Sequence, residues 1–330
     1  MVLAIDVRQI TKIYDGKIRA LDGVDLEVNA ADVFALLGPN GSGKTTLMRI
    51  LTTQFRPTSG EAYSFGIDII RNDAWVRKMI GYVPQETSVW TDISGFENLL
   101  IYSKIYGVPS SRRKKSISDA LQIMGLEEMA DGLVKKYSGG MVRRLEIACA
   151  LLVKPKILFL DEPTIGLDPS ARKAVWENLI FFKNEYGTTI FFNTHYMDEA
   201  DLYSDHIAII KRGKIVKSGT VNDLKHSLHS EVLLLDLKSH ALDETALTDI
   251  RALDCVRDVV VSDSELRVFI DDADTALPKI METLWRKGIS IKKITTTRPT
   301  LDDVFLNYAG SITAVRKHSP QNAKGAPAWD

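Results

Sequence analysis

The sequence predicts an α/β core with a mainly parallel sheet, followed by a smaller α+β domain. Up to about Gly219, short apolar or β-branched runs alternate with helical patterns, as at residues 32–37 before a glycine-rich loop and 157–160 before two acids. After Gly219 the predicted order becomes strand, helix, strand, strand, helix, strand. The 330 residues suffice for two hydrophobic cores.

Taken in order, residues 1–220 form the first unit, and the stretch from about 86 to 153 is a helical insertion in it. That stretch is helix-biased and broken by Gly107-Val108-Pro109. Its basic run, Arg112 to Lys115, reads as a solvated helix face, because no aromatics are interleaved as a nucleic-acid contact would need. Residues 221–310 form the second unit. Strands are expected at 231–237, 255–261, 265–270 and 289–295, and helices at 246–253 and 277–287, which is the split β-α-β order of a ferredoxin-like domain. A short helix at 301–308 would close it. Residues 311–330 are small and polar with two prolines, the composition of a flexible tail.

Composition excludes several classes of function. The 42 Lys and Arg balance the 43 Asp and Glu, so no global field holds the chain on nucleic acid or an anionic bilayer. The longest apolar run, Ile147 to Val153, is far shorter than the roughly 20 residues of a membrane span, and Met1 begins no export signal. A cytoplasmic location is expected. Cys149 and Cys255 form neither a disulfide framework nor a zinc-ligand spacing.

The chemistry concentrates in two places. Gly38-Pro39-Asn40-Gly41-Ser42-Gly43-Lys44-Thr45 fits G-x-x-x-x-G-K-[ST] between a predicted strand and a helix starting near Lys44. Gly41 and Gly43 let backbone N–H groups face a phosphate at the positive end of that helix. Lys44 would reach β- and γ-phosphates, and the Thr45 hydroxyl would ligand Mg²⁺. The run 157–160 ends in Asp161 and Glu162, at the carboxyl end of a buried strand where ligands of open α/β sheets sit. Asp161 is placed to hold Mg²⁺, and Glu162 to take the proton of an attacking water. Together these make a P-loop nucleotide hydrolase, with kinase, GTPase and transport ATPase still open. Tyr137-Ser138-Gly139-Gly140-Met141 at a helix start suits a second anion site, with an ordinary cap as the alternative.

With this last motif the chain resembles the ATP-binding subunits of ABC transporters from about Val7 to Gly219. The Walker A would be Gly38 to Thr46, the Q-loop Tyr82 to Gln85, the signature Ser138-Gly139-Gly140 and the Walker B 157–161 with Glu162. The D-loop would be Gly166-Leu167-Asp168, and the switch histidine His195. The stretches 137–148, 194–200 and 299–306 look like the daunorubicin-resistance type of exporter ATPase, which extends the match to about Gly310. The resemblance implies ATP with Mg²⁺, Gln85 near the metal and attacking water, and His195 as a donor to the γ-phosphate. It implies Tyr14 stacked on adenine and Asp168 at a subunit interface.

It also implies an ATP-dependent homodimer in which Ser138, Gly139 and Gly140 face the other subunit's nucleotide. Separate permease subunits would dock near the insertion and hold the dimer at the inner face of the membrane. The rival is a soluble ABC-type ATPase without a transport role. Three residues depart from the pattern: Tyr137 replaces a usual Leu, Met141 a Gln, and Ile165 a Ser that would hydrogen-bond in the D-loop.

Overall fold

In the computed structural model, which describes residues 2–228, 231–237, 244–262 and 265–309, two long strands come first. They are β1 (Leu3–Tyr14) and β2 (Ile18–Asn29), paired antiparallel. Asp15 and Gly16 turn the chain between them with φ of 49° and 66°, a conformation an Asp-Gly pair favours. β3 (Val33–Leu37) leads through the glycine loop into α1 (Lys44–Leu51), and β4 (Ser59–Ser64) and β5 (Ile67–Asp68) rejoin the first sheet in the order β2-β1-β4-β5. This separate antiparallel sheet stands beside the mainly parallel one that the sequence predicts. Its strands are only half-buried, so they lack the unbroken apolar runs that mark the parallel ones.

α2 (Asp73–Arg77) and β6 (Ile80–Val83) precede the insertion, which holds α3 (Gly95–Ile105), α4 (Ser110–Met124) and α5 (Gly139–Leu151). The predicted break separates α3 from α4, with Pro109 as the residue before α4. Then come β7 (Ile157–Asp161), α6 (Pro169–Tyr186), β8 (Thr189–Thr194), α7 (Met197–Tyr203), β9 (His206–Lys211) and β10 (Lys214–Thr220). The second sheet runs β10-β9-β3-β8-β7-β6, parallel from β9 to β6 with β10 antiparallel at the edge.

β3, β7 and β8 are buried throughout. Alternation along β3 gives each face of the sheet a core: Phe34 and Leu36 pack with α1 and the antiparallel sheet, Val33, Ala35 and Leu37 with α5 and α6. Leu37 lies opposite Thr194, and Asp161 opposite Asn193. That register brings the ends of β3, β7 and β8 to one edge, where the chemistry gathers.

α8 (Val221–His226) leads to β11 (Glu231–Leu237), α9 (Glu244–Arg251), β12 (Val256–Ser262), β13 (Glu265–Ile270), α10 (Ala273–Arg286) and β14 (Ile291–Thr297). The order β12-β13-β11-β14, with every neighbour antiparallel, is consistent with the ferredoxin-like arrangement. α10 begins at Ala273 rather than 277, because the Asp272 side chain accepts from the Thr275 N–H at 3.0 Å and Pro278 sits inside the helix instead of starting it.

α11 (Leu301–Ala309), expected to close this small unit, bonds to it and also packs on the first one. Leu301, Val304 and Phe305 share a core with Ala200 of α7, Ile207 and Ile209 of β9 and Leu224 of α8, while Asp303 holds Arg267 of β13 at 2.6 Å. The i, i+3, i+4 spacing defines the apolar face but not the surface it meets. The expected tail, 311–330, lies outside the described residues. Among the described residues no helix is long and apolar enough to cross a membrane.

Candidate functional site

The buried end of β3 delivers the chain into the loop, and Gly43 turns it into α1 with φ 111°. A Cβ there would come within 2.6 Å of the Ala20 carbonyl oxygen, so the position needs glycine for its conformation and for its space. A Cβ at Gly38 would likewise come within 2.5 Å of the Ile210 carbonyl oxygen. Lys44 is 7% exposed and its ammonium donates to the carbonyls of Gly38 at 2.7 Å and Pro39 at 3.3 Å. Burial pushes its pKa down, and the nearby carboxylates of Glu162 and Asp161 oppose that shift. The Ser42 hydroxyl is buried without a partner.

Across the edge, one carboxylate oxygen of Asp161 is likewise buried and unpartnered. Burial holds this carboxyl above the usual range, with Asn193 and Lys44 pulling the other way. Glu162 is buried too and takes a left-handed φ of 50°, which is costly for a residue other than glycine and is held here by its surroundings. Its N–H donates to the Asn193 side-chain oxygen at 2.8 Å, and its carboxylate lies 2.9 Å from Nδ1 of His195. Two orphaned buried oxygens beside a buried ammonium fit a hydrated cation and a phosphate, which would supply the missing partners. Thr45 stands half-buried in the first turn of α1, and Gln85 is exposed two residues past Val83, which pairs with Leu160 of β7.

Tyr14 ends β1 beside the loop, its hydroxyl 3.5 Å from Oγ1 of Thr46 and its ring edge-on to Phe55. Pro39, Asn40 and Gly41 form the exposed lip of the cradle. Ser138 and Asp168 lie elsewhere, each capping a helix. The Ser138 hydroxyl accepts from the Met141 N–H at 3.2 Å, and one Asp168 oxygen accepts from the N–H groups of Ser170 and Ala171, both at 3.0 Å. Gly140 lets the two helix starts touch, since a Cβ there would be 2.9 Å from that of Ala171. Ser138, Gly139 and Asp168 remain exposed. The Tyr137 departure is absorbed within the insertion, where its hydroxyl donates to the Met129 carbonyl at 2.6 Å.

Sequence reasoning missed two buried hubs. Arg143 and Glu146 form an ion pair at 3.0 Å behind the catalytic edge. Glu199 accepts from Thr164 and lies 3.4 Å from both Thr194 and Arg172, so it ties the D-loop to the residue before His195. Burial pushes the Glu199 carboxyl up, opposed by Thr164 and Arg172. Charged residues inside apolar helices were the available signal.

A glycine cradle on β3, with a buried acid ending β7 one strand beyond β8, places the chain among the P-loop nucleotide hydrolases. Residues 21–165 match the ABC transporter family, and residues 219–309 match the family described as ATP-binding protein DrrA1-3-like, C-terminal domain. The chain is 39% identical over 311 residues to the daunorubicin/doxorubicin resistance ATP-binding protein DrrA of Streptomyces peucetius, covering 93% of this chain and 92% of that one. It is 32% identical over 308 residues to the linearmycin resistance ATP-binding protein LnrL of Bacillus subtilis, covering 93% and 98%.

Among solved structures, cbiO1 from Clostridium perfringens, part of the cbiONQ transporter complex, is similar with a TM-score of 0.62 and 28% identity over 67% of this chain and 89% of that one. A dimeric bacterial ABC transporter cassette gives 0.60 and 28% over 66% and 98%. The chain belongs to the ATP-binding subunits of ABC transporters, in the daunorubicin-resistance group. It is an ATP-hydrolysing subunit homologous to those of ABC exporters, and its P-loop architecture implies ATP and Mg²⁺.

Proposed function

We propose that two copies of this chain close over two ATP molecules and, through separate permease subunits at the inner face of the membrane, drive export. The observation that carries the hydrolytic part is Glu162, buried at the end of β7 and held between Asn193 and His195. Lys44 and the N–H groups of residues 40–46 bind the β- and γ-phosphates, and Tyr14 stacks on the adenine. Thr45, Asp161 and Gln85 hold the Mg²⁺. A Mg²⁺ bound there would supply positive charge against the phosphates. Glu162 accepts the proton of the attacking water, and His195 orients that carboxylate through Nδ1 while its other ring nitrogen faces the γ-phosphate. Ser138, Gly139, Gly140 and Asp168 complete the site of the other copy, which the exposure of Ser138, Gly139 and Asp168 permits.

Glu162→Gln tests this reading. An amide cannot take the proton, so turnover should fall at least about 100-fold while ATP stays bound and a stable dimer accumulates. Wild-type turnover in that variant would remove Glu162 as the base.

A further inference from the structure

One buried guanidinium spends all five of its donors on three separate segments. Arg143, in the second turn of α5, donates through Nε to the Pro163 carbonyl at 2.8 Å and through Nη2 to those of Asp161 at 2.9 Å and Glu162 at 3.2 Å. Nη1 donates to the Pro84 carbonyl at 2.7 Å and to Glu146 at 3.0 Å. The fork therefore closes on three successive carbonyls at the catalytic edge and on the carbonyl just before Gln85. A lysine, with three donors at one point, could not span them.

Glu146 carries the joint further. Its second oxygen accepts from the N–H of Ser88 at 2.6 Å and the hydroxyl at 3.2 Å, and the Ser88 carbonyl accepts from the Tyr102 hydroxyl at 2.5 Å. Asn98 then grips Trp90 by both its N–H at 2.8 Å and its carbonyl at 2.9 Å. Val89, Trp90, Thr91, Asp92, Ile93 and Ile101 line a surface hollow of about 420 Å³. A buried ion pair is weak evidence for stability, because desolvating both charges offsets their attraction. What this one supplies is a fixed geometry between two distant places.

We infer that Arg143 and Glu146 are positioning residues that join the carboxylate edge to the wall of this hollow, so that a shift of residues 161–163 on nucleotide binding is carried to Trp90. The inference rests on the reading of the 161–163 edge as the hydrolytic site and deepens it. The full chain, grown with fluorotryptophan, has five tryptophans, and the fluorine resonance of half-exposed Trp90 is identified by its loss in Trp90→Phe.

A non-hydrolysable ATP analogue with Mg²⁺ should shift that resonance in the wild type. Arg143→Ala should bind the analogue within about threefold of wild type by calorimetry, lose most of the Trp90 shift, and lower kcat about tenfold with KM little changed. Arg143→Lys should not restore the shift. A purely structural role would weaken analogue binding, kcat and thermal stability together. If Arg143→Ala does not fold, Glu146→Gln carries the test: it keeps an acceptor for Ser88, loses the charge pair and should at least halve the shift. A wild-type shift in either folded variant, or no Trp90 response in the wild type with analogue bound, overturns the relay alone. Failure of the wild type to bind the analogue overturns the nucleotide reading and the relay with it.

Discussion

Lys44, Asp161 and Glu162 are buried at the junction of three strands, whereas Ser138, Gly139 and Asp168 stand exposed at the starts of α5 and α6. The first group is held by contacts that cross the fold, including Glu162 with Asn193 and His195. The second is held by local capping bonds that any helix start could make. Asp168 takes both N–H groups on a single oxygen, so its cap and an interface role can coexist. The contrast teaches that one side of the nucleotide site is preorganised within the chain, while the other is a surface whose backbone is fixed but whose target lies outside it. Lesions on the two sides should therefore fail differently.

The largest effect belongs to the buried side. Lys44→Ala removes the mobile cation aimed at the phosphates and should weaken ATP binding about 100-fold, the scale of a lost charge-assisted contact to a multiply charged group. Unchanged affinity in a nucleotide titration would break the comparison at its root.

Ser138→Arg should instead spare ATP binding and block ATP-driven dimerisation, because it places a bulky cation on the exposed face. Mixing subunits that carry Ser138→Arg with subunits that carry Lys44→Ala gives a heterodimer with one doubly damaged site and one intact site, if the signature acts across the interface. Dimer recovery on mixing, read by light scattering with ATP, is the expected result. No recovery would mean that each signature serves its own chain.

The division between the two sides also governs what could be read in advance. Val33–Leu37 and Ile157–Asp161 stood out because strands buried on both faces have no polar alternation to blur them. The glycines near Lys44 were legible because the turn they make is local, with φ of 77° at Gly41 and 111° at Gly43. Arg143 was not legible in its role, since the carbonyls of Pro84 and Asp161 lie 59 and 18 residues away and nothing in the helix pattern names them. For the same reason α11 showed its apolar face but not its dock on α7 and β9.

A smaller effect tests how far the buried side is strained toward its ligand. The Asp161 carboxyl sits above the usual range chiefly through burial, so the folded state binds its proton more tightly than the unfolded chain does. Stability is then lost as pH rises through that range, and at neutral pH the charge is a cost. Asp161→Asn should raise the Tm of the nucleotide-free protein by about 2 to 4 °C and abolish the added stabilisation by Mg²⁺ with ATP. The gain should shrink as pH falls and the wild-type carboxyl takes up its proton. A lower Tm in the variant at neutral pH would show that the charge is satisfied without a cation.

The smallest effect falls on the exposed side. Thr164 is fully buried and bonded to Glu199, yet the next residue, Ile165, is 39% exposed in a turn closed by the Leu167 N–H on the Thr164 carbonyl at 3.1 Å. Ile165 belongs to none of the hydrophobic cores of the described residues, so Ile165→Ser should leave the Tm of the nucleotide-free chain within about 1 °C. In the closed dimer, burying less than half of what remains exposed would be worth under about 1 kcal/mol at 25 cal/mol per Å². The serine variant should therefore dissociate only about threefold more readily in the presence of ATP, as measured by analytical ultracentrifugation in a Glu162→Gln background. A large fall in monomer stability would place Ile165 in the chain's own core and narrow the exposed half-site to Ser138, Gly139 and Asp168. A dimer that tightens would mean that a hydroxyl outweighs the apolar contact at this position, and that the isoleucine loosens the joint between the two copies.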